Sequence, residues 1–251
     1  MSAHLPAITL VTGAASGIGA AIVGALVREG GRVVAIDRDE RALAALSAQR
    51  SISVFPADVR DPAALVAIVE QVERELGAID GLVHAAGVLP LGAICDAPES
   101  ALRDALAVNV EGLWSIARAL APRMIRRARG AIVTISSNAG ATPRVGMGAY
   151  CASKAAATML TRCLALELAP HGIRCNVVSP GSTDTPMLRR MLDGASPSEL
   201  VRGRPDAFKL GIPLGRVAAP EDVAQVALFL LSERARHVTL QDVRVDGGAT
   251  F

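Results

Sequence analysis

The chain has 251 residues, of which 51% are hydrophobic and only 2% aromatic, and its formal net charge is +2. One α/β domain can have this length, and the hydrophobic fraction suffices for a large core of aliphatic side chains. The basic residues are scattered without interleaved aromatic residues, which argues against nucleic-acid binding. The apolar runs AALVAIV and VALFLL are too short to cross a bilayer, so we expect no membrane association.

The N-terminal sequence and the cysteines both favour a cytoplasmic protein. MSAHLPAITLVTG lacks the cationic region, the apolar core and the cleavage site of a signal peptide. The cysteines form no C-x-x-C pair and have no metal-ligand spacing; they are Cys95, Cys151, Cys163 and Cys175. We therefore predict reduced, mostly buried thiols and no metal site.

Apolar runs alternate with helical segments along most of the chain. In order, the strand-like runs are ITLVT, RVVAID, ISVFPAD, IDGLVHAAG, AIVTISS and GIRCNVVSP. Pro62 and Pro220 indicate two of the helix N-termini. The alternation is typical of a doubly wound parallel sheet of the Rossmann type, and no linker or repeat divides the chain. We predict a single α/β domain over residues 1–251.

Residues 182–214 are the least regular stretch of the sequence. They are rich in glycine, proline, serine, arginine and methionine, and they follow the end of a strand-like run. Long irregular inserts at such places often cover ligands. We predict a mobile lid here, with an ordinary surface loop as the alternative.

A glycine-rich loop, Thr12–Gly19, lies between the first strand-like run and a helical segment. Glycine permits a tight turn and close approach of the backbone to a ligand, and a helix N-terminus offers free N–H groups to a pyrophosphate. The strand–loop–helix context is what a dinucleotide-binding motif requires. The predicted cofactor contacts in this loop are Gly13, Ser16, Gly17, Ile18 and Gly19.

Acidic residues after the next two strand-like runs indicate which nucleotide binds. Asp37 ends the second run, where a carboxylate accepts hydrogen bonds from both ribose hydroxyls and repels a 2′-phosphate, which favours NAD over NADP. Arg38 is the counter-argument, because it could bind that phosphate. Asp58 and Val59 are placed beside the adenine; helix capping is the alternative for Asp58, although Asp61 suits that role better.

The fourth strand-like run ends in Ala85, Ala86 and Gly87, whose small side chains leave room for a cofactor ribose. His84 lies inside that run, and we expect it to be a packed core histidine. Asn109 is a polar residue in an otherwise apolar helical segment. A buried Asn must be hydrogen-bonded, and Asn109 could connect the helix backbone to a water that leads toward a catalytic lysine.

Tyr150 and Lys154 are four residues apart at the start of an alanine-rich segment, so on a helix they share one face. An ammonium beside a phenol favours the phenolate, and we expect the pKa of Tyr150 to fall from about 10 toward neutrality. Ser137 follows a strand-like run and could hold a substrate hydroxyl against the phenol. For each of these residues taken alone, a plain surface position is the alternative.

Together these residues resemble the motifs of the short-chain dehydrogenase/reductase family. The matching positions are the Thr12–Gly19 loop, Asp58, Ala86–Gly87, Asn109, Ser137, Tyr150, Lys154 and Pro180–Gly181. The resemblance implies Tyr150 as the catalytic acid/base, Lys154 as its pKa modifier and ribose ligand, and Ser137 as the substrate anchor. His84–Ala85 depart from the Asn–Asn pair of many members, which loosens the correspondence there.

The family resemblance implies further contacts and an assembly. Asn109 would hold a water relay, and the cofactor site would extend to Pro180, Gly181, Thr183 and Thr185, the two threonines contacting the nicotinamide carboxamide. Members of the family usually form tetramers, so the resemblance implies a homotetramer.

Longer segments are similar to the members that oxidise 2,3-dihydro-2,3-dihydroxybenzoate in catechol siderophore biosynthesis. These segments are TPRVGMGAYCASKAA, IRCNVVSPGSTDTPM, FKLGIPLGRVA and VTLQDVRVDGGATF. The resemblance implies a cyclohexadiene carboxylate as substrate, hydride transfer to NAD and an aromatic product. Arg144 is the candidate ligand of the carboxylate and Met147 an apolar wall, with a surface salt bridge and core packing as the alternatives. Other candidate cations are Arg189, Arg190 and Arg204.

Three other functions remain open at this point. The first is the same chemistry on trans-2,3-dihydro-3-hydroxyanthranilate, in which an amino group replaces one hydroxyl. The second is a generic alcohol dehydrogenase or ketone reductase. The third is a nucleotide-binding protein without turnover, against which the intact Ser137, Tyr150 and Lys154 argue.

Overall fold

Seven strands form one parallel sheet in the computed structural model, which describes residues 5–250; residues 1–4 and 251 of the predicted domain lie outside it. The strands are β1 Ile8–Thr12, β2 Arg32–Asp37, β3 Ile52–Pro56, β4 Gly81–His84, β5 Gly130–Ile135, β6 Ile173–Pro180 and β7 Asp242–Val245. The first six coincide with the six predicted runs. The seventh, β7, is a short edge strand that the sequence analysis does not include.

The strand order is β3-β2-β1-β4-β5-β6-β7. Because β1 pairs with both β2 and β4, the chain winds outward in both directions from the centre of the sheet. In such a sheet a crevice opens beyond the carboxyl ends of the two strands at which the winding reverses. The predicted doubly wound α/β fold is confirmed, and the crevice lies beyond β1 and β4.

Nine α-helices accompany the sheet in the described residues. They are α1 Gly17–Arg28, α2 Glu40–Leu46, α3 Pro62–Glu75, α4 Ser100–Leu106, α5 Gly112–Arg127, α6 Gly148–Leu168, α7 Pro186–Leu192, α8 Pro197–Arg202 and α9 Pro220–Leu231. A π-helical segment, Ala107–Glu111, joins α4 to α5.

Two aliphatic cores cover the two faces of the sheet. Ile22 of α1 and Val223 of α9 belong to one core, while Leu65 of α3 and Leu120 of α5 belong to the other. Because both faces are covered, every residue of β1 is buried, including the two threonines Thr9 and Thr12.

Side-chain caps explain where several helices begin. Asp61 accepts hydrogen bonds from the N–H groups of Ala63 and Ala64, each at 3.0 Å, and Pro62 occupies the first position of α3. Pro220 begins α9 in the same way. The capping role therefore belongs to Asp61, as the sequence predicts, and Asp58 lies outside the helix.

Residues 182–214 are more regular than the sequence predicts. They contain α7 and α8, which both begin with proline; Thr185 caps the first helix and Ser196 the second. The short polar caps and prolines form these helices within a stretch that reads as a loop by composition. The mobility of this stretch stays a prediction.

The cysteines differ from the expectation of mostly buried thiols. Cys175 is buried and Cys151 half-buried, but Cys95 and Cys163 are exposed, and all four are free. Within residues 5–250 no helix is long and apolar enough to cross a membrane. The same residues contain no group of three or more His, Cys, Asp or Glu side chains that could hold a metal ion.

Candidate active site

A groove of about 240 Å³ lies at the carboxyl ends of β1, β2 and β4. It collects residues from distant parts of the chain, and most of the predicted cofactor contacts line it. They are Gly13, Ser16, Gly17, Ile18, Gly19, Asp37, Arg38, Asp58, Val59, Ala85, Ala86, Gly87, Tyr150, Lys154 and Thr185. The crevice that the strand order predicts is therefore lined by the residues that the motifs single out.

The glycine-rich loop is shaped for close backbone approach. Gly13 has φ +65°, and a Cβ there would lie 2.7 Å from the backbone nitrogen of Ala86. A Cβ on Gly19 would collide with the carbonyl oxygen of Gly13. Ser16 precedes α1 without capping it, so the first N–H groups of that helix keep no side-chain partner and face the groove.

Asp37 is held rigidly at the end of β2. One carboxylate oxygen accepts the N–H of Ala15 at 3.0 Å, and the other accepts the N–H of Asp39 at 3.1 Å. Asp58 pairs with Arg60 at 2.6 Å, and this contact holds the pKa of Asp58 below its usual range. Both carboxylates are thus held by hydrogen bonds on the groove wall.

His84 is a buried, neutral histidine, as the sequence predicts. Its Nδ1 hydrogen-bonds the hydroxyl of Thr12 at 3.0 Å, and that hydroxyl also accepts the N–H of Ala86 at 3.3 Å. The other ring nitrogen, Nε2, is buried and has no hydrogen-bond partner among the described residues. Burial, and secondarily the charge of Lys154, lowers the pKa of His84 to about 3.

Asn109 lies in the π-helical segment, and both polar atoms of its side chain are hydrogen-bonded. Its side chain accepts the N–H of Val88 at 2.9 Å, donates to the carbonyl of Val88 at 3.1 Å and donates to the hydroxyl of Ser153 at 2.8 Å. A Cβ on Gly87 would lie 3.2 Å from Asn109 Oδ1 and 3.3 Å from Lys154 Nζ. Asn109 is therefore next to the lysine, as predicted, while its water relay stays a prediction.

Tyr150 and Lys154 share one face of α6, as their spacing predicts. Lys154 Nζ lies 5.8 Å from the centre of the Tyr150 ring and donates a hydrogen bond to the carbonyl of Ile135 at 2.9 Å. Ser137, just after β5, lies near enough to Tyr150 to lower the pKa of the phenol, and its hydroxyl accepts the N–H of Ala139 at 3.1 Å. Ser137, from the segment after β5, and Lys154, one helical turn away on α6, therefore both lie near the Tyr150 side chain.

The expected fall in the pKa of Tyr150 is wrong for this structure. Burial raises the pKa of the phenol, and the nearby Ser137 only partly opposes that effect. The ammonium of Lys154 is directed to a backbone carbonyl instead of the phenol oxygen, and burial lowers its own pKa to about 8. Removal from water thus outweighs the attraction that the sequence spacing suggests.

A second space, the side cavity, has a volume of about 370 Å³ and adjoins the groove at Tyr150 and Thr185. The predicted residues that line it are Ser137, Arg144, Met147, Tyr150, Pro180, Gly181, Thr183 and Thr185. Pro180, Gly181 and Thr183 therefore lie on its wall and not in the groove, although the family resemblance implies cofactor contacts for them. Thr183 donates a hydrogen bond to the carbonyl of Gly181 at 3.2 Å.

The cations near the side cavity differ in their partners. Arg189 lines neither space and pairs with Asp184 at 2.8 Å, while Arg190 lines the groove. Arg204 and Lys209 line the side cavity together with Arg144. Lys209 is absent from the predicted site residues, although it lies in the segment FKLGIPLGRVA that carries part of the resemblance.

Comparison with known proteins fits this geometry. A family model of the short-chain dehydrogenases, described as "Enoyl-(Acyl carrier protein) reductase", matches residues 13–250. The chain belongs to the short-chain dehydrogenase/reductase family.

Two relatives of this short-chain dehydrogenase/reductase match nearly its whole length. The 2,3-dihydro-2,3-dihydroxybenzoate dehydrogenase of Bacillus subtilis (strain 168) is 44% identical over 97% of this chain and 96% of its own. The Escherichia coli (strain K12) protein of the same name is 42% identical over 96% of each chain. The ligand-free aldohexose dehydrogenase of Thermoplasma acidophilum superposes with a TM-score of 0.86 at 30% identity, covering 96% of this chain and 93% of that one.

The short-chain dehydrogenase/reductase is an oxidoreductase that acts on CH–OH donors with a nicotinamide cofactor and a small-molecule substrate. The groove fits a dinucleotide. An added Cβ would collide with the backbone at Gly13 and at Gly19, the N–H groups of α1 lack a side-chain cap, and a fixed carboxylate stands at the end of β2.

Proposed function

We propose that this short-chain dehydrogenase/reductase oxidises 2,3-dihydro-2,3-dihydroxybenzoate to 2,3-dihydroxybenzoate with NAD, as a step of catechol siderophore biosynthesis. The observation that carries the proposal is the position of Tyr150, which lines both the groove and the side cavity. Lys154 lines only the groove and Ser137 only the side cavity. The phenol is therefore the group that can touch a substrate and a cofactor at the same time.

The substrate side of the mechanism follows from these positions. Ser137 holds the reacting hydroxyl against Tyr150, whose phenolate accepts the hydroxyl proton as general base. When bound, an oxidised nicotinamide would accept the hydride from the carbon that carries the reacting hydroxyl. Loss of a proton and a hydride leaves a ketone, and its tautomerisation gives the aromatic catechol.

Lys154 has two tasks in this proposal. Its ammonium lies in the groove, where it holds the cofactor ribose, and its positive charge stabilises the phenolate of Tyr150. Asn109 fixes the chain beside Lys154 through its bonds to Val88, and it holds the water through which a proton leaves. Because burial raises the pKa of the phenol, the reaction depends on that positive charge.

NAD is the proposed cofactor. Asp37 is anchored by two backbone N–H groups on the groove wall, so its charge cannot turn away from a ribose 2′ position. Arg38 and Arg190 also line the groove, and they are the residues that would favour a 2′-phosphate. The fixed carboxylate supports NAD, because it would accept the ribose hydroxyls and repel a 2′-phosphate.

Arg144 is the proposed ligand of the substrate carboxylate. It lines the side cavity with Tyr150 and Met147, and no carboxylate lies within ion-pair distance of its guanidinium in residues 5–250. Burial lowers the pKa of Arg144, which reflects its partial removal from water. An anionic substrate would satisfy this charge, and the Met147 side chain would form the apolar wall beside the ring.

The proposed assembly is a cytoplasmic homotetramer. Trp114 of α5, Met159 and Leu166 of α6 and Phe229 of α9 are large apolar side chains that are at least 42% exposed. Such side chains suit burial between copies of the chain. The free thiols suit a reducing compartment.

The test compares substrates with purified protein and follows NADH formation. Three substrates are supplied in parallel, each with NAD and with NADP. They are 2,3-dihydro-2,3-dihydroxybenzoate (the diol acid), trans-2,3-dihydro-3-hydroxyanthranilate (the amino analogue) and a neutral secondary alcohol. We expect the highest kcat/KM for the diol acid with NAD. A higher kcat/KM for the amino analogue would contradict the proposed substrate and indicate an enzyme of antibiotic biosynthesis. A higher kcat/KM for the neutral alcohol, or with NADP, would indicate a generic alcohol dehydrogenase.

A further inference from the structure

Lysine is rare in this chain, and both of its lysines line the candidate active site. The sequence contains 24 arginines but only two lysines, Lys154 and Lys209. Lys154 lines the groove and Lys209 the side cavity. The mechanism above gives a task to the first and none to the second.

Lys209 is placed by a closed hairpin that follows α8. The backbones of Arg204 and Lys209 exchange two hydrogen bonds, of 2.8 Å and 3.0 Å. At the base of the hairpin, a Cβ on Gly203 would lie 2.5 Å from the nitrogen of Gly211, so the two strands touch there. Phe208 adopts φ +51° and stands 88% exposed, while the neighbouring Lys209 is half-buried and lines the cavity.

The charges around Lys209 are unbalanced. Arg204, across the hairpin, pairs with Asp206 at 2.6 Å, and Glu199 raises its pKa further. Among the described residues neither Lys209 nor Arg144 has an acidic partner within ion-pair distance. Burial, followed by the charges of Arg144 and Arg204, lowers the pKa of Lys209. Two cations that repel each other thus share one partly dry cavity.

We propose that Lys209 is a second ligand of the substrate carboxylate, and that the acid binds between Lys209 and Arg144. The inference rests on the proposed function, which supplies a carboxylate substrate. A carboxylate has two oxygens and accepts two charge-assisted hydrogen bonds, so one anion relieves the repulsion between both cations. Lys209 then determines specificity for acids over neutral alcohols, and it connects the 204–209 hairpin to the loop that carries Arg144.

The first experiment measures binding and needs no turnover. Calorimetry of the cofactor-loaded protein compares 2,3-dihydroxybenzoate with catechol, which lacks the carboxylate. We expect Lys209→Met to weaken binding of the acid at least tenfold and to change binding of catechol less than twofold. Lys209→Arg should stay within threefold of the wild type for both. Arg202→Met is the matched control, because Arg202 is exposed on α8 and lines neither space.

The second experiment uses the scarcity of lysine. The holoenzyme is treated with an acylating reagent, and peptide mass spectrometry measures the labelling rate at each amine. The chain has three such amines, which are the two lysine side chains and the N-terminus. We expect 2,3-dihydroxybenzoate to slow the labelling of Lys209 at least fivefold and catechol to leave it unchanged. Equal loss of acid and catechol binding in Lys209→Met, or equal protection by both ligands, would overturn the inference.

These outcomes separate the inference from the proposed function. If the wild type binds aromatic acids through Lys209 but does not oxidise the diol, the proposed function fails and the acid site stands. If the wild type oxidises the diol and Lys209→Met binds the acid normally, the inference fails alone.

Discussion

The ammonium of Lys154 lies 5.8 Å from the centre of the Tyr150 ring, one turn further along the same helix, and is bonded to the backbone of β5. The lysine is therefore held by the sheet while the phenol projects to the boundary between the groove and the side cavity. Burial of the Lys154 ammonium lowers the free energy of unfolding. The pKa of Lys154 is lowered from 10.5 to about 8 by burial.

Lys154→Met should be inactive yet more stable than the wild type at neutral pH. The lowered pKa corresponds to about 3 kcal/mol of unfavourable burial, which the substitution removes. The variant also loses the hydrogen bond to Ile135, which lowers its stability by about 1 kcal/mol. Between about pH 8 and pH 10.5 the unfolded chain binds more protons than the folded one, so wild-type stability should rise with pH there by about 3 kcal/mol, of which about 2 kcal/mol is reached by pH 9.5. Urea unfolding at pH 7 and pH 9.5 checks both points. A wild type and a variant with identical pH slopes would contradict this assignment.

His84 should make the fold sensitive to acid. The unfolded histidine takes up a proton near its ordinary pKa of 6.5, whereas the folded one stays neutral down to about 3. The unfolded state therefore gains protons as the pH falls through that window, and about 2 kcal/mol of stability is lost between pH 7 and pH 5. His84→Asn keeps an atom for the Thr12 bond and should remove this loss, while His171→Asn, at an exposed imidazole, should not. Denaturant melts of the three proteins at both pH values decide the matter.

Asn109→Ala should lower the free energy of unfolding by about 2–3 kcal/mol. The substitution leaves the N–H and carbonyl of Val88 without their partner and removes a bond to Ser153. Gln71→Ala, on the exposed side of α3, is the control and should change stability by less than about 0.5 kcal/mol. If turnover falls in Asn109→Ala but stability does not, the residue serves only the water relay and not the structure.

Asp37→Asn should reduce the preference for NAD over NADP at least tenfold. Asparagine can still accept the N–H of Ala15, so the loop keeps its shape while the negative charge at the ribose disappears. Asp39→Asn removes a charge two residues away and preserves the cap of α2, so it should leave the ratio unchanged. The ratio of kcat/KM for the two cofactors is the measurement. Equal ratios in all three proteins would show that Asp37 does not read the ribose.

The sequence predicts most of the fold because the governing signals are local. Buried strands such as β1 are short runs of mainly β-branched and aliphatic residues, and Pro62 with its Asp61 cap fixes the start of a helix. The glycine-rich loop and the four-residue spacing of Tyr150 and Lys154 also follow from local geometry, and the structure brings both to one crevice.

What the sequence does not predict depends on contacts between distant segments. The pKa of Tyr150 is decided by burial from elements that lie far away in the chain. The short strand β7 gains its pairing only from β6, and Lys209 reaches the side cavity only through the hairpin that holds it. The rarity of lysine is the one sequence signal that distinguishes Lys209 from the other cations of the chain.

The most direct test of the account is the stoichiometry of product formation by the wild type and by Tyr150→Phe. Both proteins are supplied with NAD and the diol acid, and NADH is measured together with the fluorescent catechol acid. We predict one NADH for each molecule of 2,3-dihydroxybenzoate in the wild type. We predict a loss of at least a thousandfold in kcat in the variant, with NAD affinity unchanged. Substantial turnover by Tyr150→Phe, or NADH formed without an aromatic product, would contradict the account.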